Sequence, residues 1–214
     1  MPGGVGAASA AESYSLPGPK STKNIDPFVH PGALVSLWLN HCSLDKNSTG
    51  KTTRTIALKV ILVACTANIC RSPMATAILR RRIAELGLED QIAVSSAGVW
   101  AEEGHGASPN AVTTLAGRGM DLTGHRSRLL TPALLGEADL VLVMEEAHRR
   151  SLFHLAPQHL SKVYLLTEMS GKHADVADPY GGPGEGYART ADELERLIDA
   201  GMPKILHRLG VPAA

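Results

Sequence analysis

No sign of charge dominates this chain. Its 21 Lys and Arg are matched by 21 Asp and Glu, for a formal net charge of zero. That balance excludes the broad basic field of a nucleic-acid or polyanion binder. Long apolar runs are missing as well. No stretch is long enough to span a bilayer, and the N-terminus lacks the charged start and apolar core of a secretory signal. Cysteine is sparse, at three residues. An odd number of thiols suits a reducing compartment, and the expected location is cytoplasmic. Aromatics make up only 4% of the residues, so any that fall beside a candidate site carry weight. No internal repeat is visible.

The chain divides by composition. Residues 1–55 are rich in Gly, Ala, Ser and Pro, with one short apolar patch from Ala33 to Leu39. They read as a low-complexity, disordered extension, and residues 56–214 read as one domain. Gly50-Lys51-Thr52 has the end of a nucleotide P-loop, but Asp45 stands where its first glycine belongs and no strand precedes it. Asn47-Ser48-Thr49 is a glycosylation sequon without secretory context. Cys42 has no evident partner.

What is present is concentrated in Cys65-Thr66-Ala67-Asn68-Ile69-Cys70-Arg71-Ser72-Pro73. Leu58 to Ala64 before it is a short, β-branched apolar run, the mark of a buried strand. Met74 to Leu86 after it carries apolar residues at helical spacing, and Pro73 suits a first helical turn. A loop between strand and helix converges backbone N–H groups on an anion, and the helix N-terminus adds partial positive charge. The same field favours a thiolate at Cys65. Arg71 can fork two hydrogen bonds onto phosphate oxygens. A buried free cysteine beside a solvated arginine is the plainer reading of such a pair; strand, loop and helix in register argue against it.

Later strands are expected at Ile92–Ala97, Asp139–Met144 and Lys162–Leu166. Helices are expected near Asn110–Arg118, Glu145–Leu155 and Ala191–Leu209, with Gly181 to Gly186 as a flexible loop. Short apolar strands alternating with helices imply α/β architecture: a four-stranded parallel sheet with helices on both faces, a three-layer Rossmann-like arrangement. Cys65 then lies at the carboxyl end of the first strand, where open α/β sheets bind ligands.

These segments resemble the low-molecular-weight protein tyrosine phosphatases over about residues 58–210. Besides the Cys65 loop, Val94-Ser95-Ser96-Ala97-Gly98 is similar to the second strand of that family. The segment from Gly119 to Arg128 is similar to its Ser-x-His-x-x-Arg segment. Asp178-Pro179-Tyr180 is similar to its Asp-Pro-aromatic loop. The resemblance implies the phosphatase I fold and hydrolysis of phosphotyrosine through a phosphocysteine intermediate, without cofactor or metal. Cys65 would be the nucleophile, Asp178 the general acid and Arg71 a phosphate ligand. The backbone of Thr66, Ala67, Asn68, Ile69, Cys70 and Arg71 would cradle the phosphate. Asn68 and Ser72 would support the nucleophile, and Ser96 and His125 would hold the loop asparagine. Trp100 and Tyr180 would wall the substrate pocket. Glu102 and Glu103 stand where the family more usually has an aromatic, a departure expected to shift preference towards basic sequence around the phosphotyrosine. Asp175 is the nearest rival to Asp178. Cys70 would pair with Cys65 in a protective disulfide, opened by a thiol reductant. Ala67 replaces the more usual glycine of the loop, which narrows the allowed backbone there if φ must be positive.

Three other readings remain. A thioredoxin-coupled arsenate reductase shares the loop but needs downstream cysteines, and none follows Cys70. A protein arginine phosphatase would carry Thr in place of Ile69. An inactive phosphate-binding module would keep the loop without its chemistry. The expected partner is a phosphotyrosine protein or a small phosphate monoester.

Overall fold

The computed structural model describes residues 57–212; the expected extension, the rejected P-loop and Cys42 lie outside the described residues. Four parallel strands, β1 (Lys59–Cys65), β2 (Ile92–Gly98), β3 (Leu140–Val143) and β4 (Val163–Leu165), form one sheet in the order β2-β1-β3-β4. Cys65 opposite Gly98 and Ala64 opposite both Ala97 and Val143 fix the register at the carboxyl edge. Side chains alternate across the sheet. Ile61, Val63 and Cys65 enter one core, Leu62 and Ala64 the other. Both faces are therefore covered, as a parallel sheet requires.

Helices α1 (Arg71–Glu85), α2 (Pro109–Ala116) and α6 (Gly184–Leu209) supply buried side chains to the Cys65 core. On the opposite face lie α3 (Pro132–Glu137) and α4 (Glu146–Leu155). A 3-10 turn (Pro157–Lys162) precedes β4, and a short α5 (Leu166–Met169) follows it.

The sequence pattern missed α3, α5 and the 3-10 turn, each too short for a helical period to show. It also cut α6 short. Gly184 to Gly186, read as loop, form the first turn of that helix instead. Glycine costs least in a first turn, Glu185 complements the helix dipole there, and Tyr187, Thr190 and Ala191 just beyond are buried and anchor it. Among the described residues, no helix is long and apolar enough to cross a membrane.

Candidate active site

The order β2-β1-β3-β4 reverses the direction of winding between β1 and β3, and the crevice outside their carboxyl ends is where such sheets take ligands. Cys65 ends β1, and α1 begins at Arg71. Residues 66–70 between them form a loop whose N–H groups at 67–70 have no acceptor within the protein among the described residues. Buried N–H groups are rarely left unpaired, so this loop is built for an anion.

Asn68 is the one non-glycine residue with positive φ among those described (58°). The strain expected at Ala67 therefore falls one residue later, on a residue type that tolerates the left-handed region. Three contacts hold it there. Its carbonyl accepts from His125 Nε2 at 2.6 Å. Its Oδ1 accepts from the Arg128 N–H at 3.1 Å. Its Nδ2 donates to Ser72 Oγ at 2.9 Å. A backbone N–H can only donate, so the Arg128 contact fixes which end of the amide is oxygen. Ser72 Oγ then accepts from Asn68, and its own proton is left for Cys65 Sγ, 2.9 Å away. A chain of donors running from Arg128 through Asn68 and Ser72 thus ends on the sulfur. His125 is held neutral, its pKa lowered first by burial and also by Arg80, Arg126 and Arg128. Its single proton goes to the Asn68 carbonyl.

Ser96 enters differently from the expectation. Its carbonyl accepts from Arg128 Nε at 2.7 Å, and Asn68 finds its side-chain partners in Ser72 and Arg128 instead. Arg128 therefore braces the edge strand β2 through a carbonyl.

Arg71 is 1% exposed and its guanidinium is the hub of the site. Nη1 is ion-paired with Glu145 and donates to the Val176 carbonyl at 3.0 Å. Nη2 donates to Asp178 Oδ2 at 2.6 Å and to Thr66 Oγ1 at 3.3 Å. Nε is buried without a partner among the described residues, a donor that a phosphate oxygen would satisfy. Arg71 and Asp178 are thereby joined across 107 positions of chain. Asp175, the rival acid, is occupied elsewhere: Oδ1 accepts from the Glu146 N–H at 2.8 Å, at the start of α4. Sequence reasoning missed Glu145 and His148. Glu145 follows β3 at the carboxyl edge beside β1, and that position is the signal by which it could have been found.

Tyr180 and Trp100 stand 69% and 74% exposed at the rim. The Tyr180 N–H donates to Asp178 Oδ1 at 3.2 Å, and the Trp100 N–H to the Thr66 carbonyl at 3.0 Å. Both are tied to site residues and offer their rings to solvent. Cys70 donates to Ser108 Oγ at 3.3 Å and lies 3.5 Å from the Tyr187 hydroxyl. Burial raises its pKa above the ordinary thiol value. It is a packed, protonated thiol here, and pairing with Cys65 would require it to leave these partners.

Gly98 shows how tightly the cradle is built. A Cβ there would meet the Thr66 carbonyl oxygen at 2.5 Å, Ala101 Cβ at 2.8 Å and Asn68 N at 2.9 Å. Two of these are backbone atoms of the loop between β1 and α1 and cannot swing away. Gly98→Ala should destabilise the protein by about 1–3 kcal/mol, the range for overpacking, and weaken inorganic phosphate binding by displacing the loop. Urea unfolding with phosphate titration checks both; wild-type values for both would show that the loop is free to shift.

The model of the low molecular weight phosphotyrosine protein phosphatase family matches residues 60–209. A probable low molecular weight protein-tyrosine-phosphatase of Ralstonia nicotianae, EpsP, is 38% identical over 148 residues, covering 69% of this chain and 97% of that protein. A protein-arginine-phosphatase of Bacillus subtilis is 40% identical over 139 residues, covering 64% of this chain and 91% of that one. The crystal structure of a low molecular weight protein tyrosine phosphatase from T. tengcongensis superposes with a TM-score of 0.65 at 42% identity, covering 68% of this chain and 99% of that one.

Proposed function

The chain belongs to the low molecular weight phosphotyrosine protein phosphatase family and is a phosphatase, and we propose that its substrates are cytoplasmic phosphotyrosine proteins hydrolysed through a phosphocysteine at Cys65. The observation that carries this reading is the buried Arg71, which ties Thr66 of the nucleophile loop to Asp178 and keeps a free Nε donor.

In the first step the Cys65 sulfur attacks phosphorus in line. The S–P bond forms as the bond to the phenol oxygen breaks, and protonated Asp178 gives its proton to that oxygen. Little new charge appears; existing charge spreads over the equatorial oxygens, so fixed donors matter most. The free N–H groups of residues 67–70 and the Arg71 guanidinium are those donors. In the second step water attacks phosphorus, Asp178 takes its proton, the S–P bond breaks and phosphate leaves. The Ser72 hydroxyl, already turned to the sulfur, stabilises the departing thiolate.

Ile69 favours tyrosine over arginine as the phosphorylated residue. It is half-buried, packs against the Cys65 core and offers no hydroxyl beside the leaving group. The similarity to protein-arginine-phosphatases makes phosphoarginine the competitor to test. Hydrolysis of phosphotyrosine and phosphoarginine measured side by side decides between them: faster phosphoarginine turnover overturns the tyrosine assignment.

Asp178→Ala tests the acid. A phenol has an ordinary pKa of about 10, so it leaves poorly without a proton. The variant should lose about 10²–10⁴-fold in kcat on phenyl phosphate. It should lose less on para-nitrophenyl phosphate, whose leaving group needs less help. Equal losses on the two esters would move the acid role to another residue.

A further inference from the structure

His148 lies in the first turn of α4, 3% exposed, and takes no part in the two steps above. Its Nε2 stands 3.0 Å from Thr66 Oγ1, and its Nδ1 is buried with no partner among the described residues. Thr66 opens the phosphate loop, and its hydroxyl oxygen also receives Arg71 Nη2 at 3.3 Å. Four charged groups face the ring. Burial and Arg71 disfavour its charged form; Glu145, Asp178 and Asp175 favour it; burial is the largest influence and the pKa is lowered. The imidazole is neutral.

A neutral imidazole carries one proton, and its surroundings decide where. On Nδ1 the proton would be a buried donor with no acceptor, the costlier kind of orphan. On Nε2 it has Thr66 Oγ1 to donate to, and only an unused lone pair remains at Nδ1. Arg71 has no acceptor and can only donate. Thr66 Oγ1 therefore accepts twice, from His148 and from Arg71. Both its lone pairs are occupied and its own proton is spare. That proton lies at the head of a loop whose N–H groups also lack internal acceptors.

We propose that His148 is a positioning residue for phosphate: by donating to Thr66 Oγ1 it turns the Thr66 hydroxyl proton toward the bound phosphoryl oxygens and steadies the oxygen on which Arg71 Nη2 rests. The proposal rests on residues 65–71 being the phosphate loop, but not on which phosphorylated residue is the substrate.

The test compares His148→Gln with His148→Asn, in the otherwise wild-type chain and in Thr66→Val. Glutamine can place an amide N–H where Nε2 stands; asparagine is too short. Inorganic phosphate affinity is measured by calorimetry, and kcat/KM on para-nitrophenyl phosphate alongside it. The asparagine variant should bind phosphate about tenfold more weakly, as for one lost hydrogen bond to a charged group, with a parallel fall in kcat/KM. Glutamine should stay within about threefold of wild type. In the Thr66→Val background the two should be equal. Equal behaviour of Asn and Gln with Thr66 present, an unchanged gap between them in Thr66→Val, or an asparagine variant that fails to fold would each overturn the proposal. Phosphate affinity does not depend on the leaving group. Failure of the phosphotyrosine reading, with turnover only on phosphoarginine, would therefore leave the Asn–Gln gap in place and be told apart from failure of His148's role.

Discussion

Cys65→Ser should stop turnover while leaving phosphate binding intact. Serine keeps the shape of the side chain and its contact with Ser72 Oγ, now 2.9 Å from the sulfur. It cannot replace the nucleophile, because an alcohol without an adjacent base is a weak one, and among the described residues no base touches this position: its side-chain partner is a hydroxyl. The rate on para-nitrophenyl phosphate should fall by at least about 10⁴-fold, the scale on which covalent enzymes lose rate with their nucleophile. That corresponds to about 5.4 kcal/mol of barrier. Calorimetry with inorganic phosphate should give an affinity close to wild type, since the N–H groups of residues 67–70 and Arg71 are untouched. Turnover within about tenfold of wild type would falsify the nucleophile assignment. Loss of phosphate binding together with turnover would mean that the sulfur also holds the loop in shape.

Arg71→Lys should come second in size. Lysine keeps the charge but not the planar fork, and all four present contacts use the separate Nη1 and Nη2 directions in ways one ammonium cannot reproduce. An arginine that clamps a transferring phosphoryl group is worth about 10³–10⁵ in kcat, and a loss of about 10³-fold is expected here, with weaker phosphate binding. The effect on stability should be smaller than the about 3–5 kcal/mol for breaking a dry buried pair. Glu145 and Asp178 keep side-chain exposures of 28% and 40%, so water can take over their solvation. Steady-state kinetics and urea unfolding of the same variant separate the two effects. A variant that unfolds readily but turns over normally would make Arg71 a structural residue.

Much of this site is local and was therefore legible. The Cys65–Arg71 loop, the strand before it and the helix after it are contiguous, so hydrophobic period, turn residues and spacing all speak about one short stretch. Asp178 was reachable only through its Asp-Pro-Tyr context, since an Asp-Pro pair by itself marks a turn. Glu145 and His148 belong to no such motif, and only the place of Glu145 after β3 hinted at the site. Each is an ordinary polar residue at the start of an amphipathic helix, and only the pairing of β1 with β3 sets them beside the loop. The helix boundary at Gly184 was hidden for another reason: glycine-rich composition argues for loop, and burial of Tyr187 and Ala191 outweighs it. Ala67 misled by one residue because positive φ is a property of backbone path, which residue type constrains without locating.

The sequence by itself determined the fold class and the strand–loop–helix order around Cys65, because alternating strands and helices and a contiguous loop between them are written in local periodicity and spacing. Only the tertiary structure decided that one buried guanidinium ties Glu145, Val176, Asp178 and Thr66 together. It also decided that the Ser72 proton faces the sulfur and that His148 stands behind Thr66. These are contacts between distant segments, and they exist only once a parallel sheet has brought the carboxyl ends of its strands to one edge.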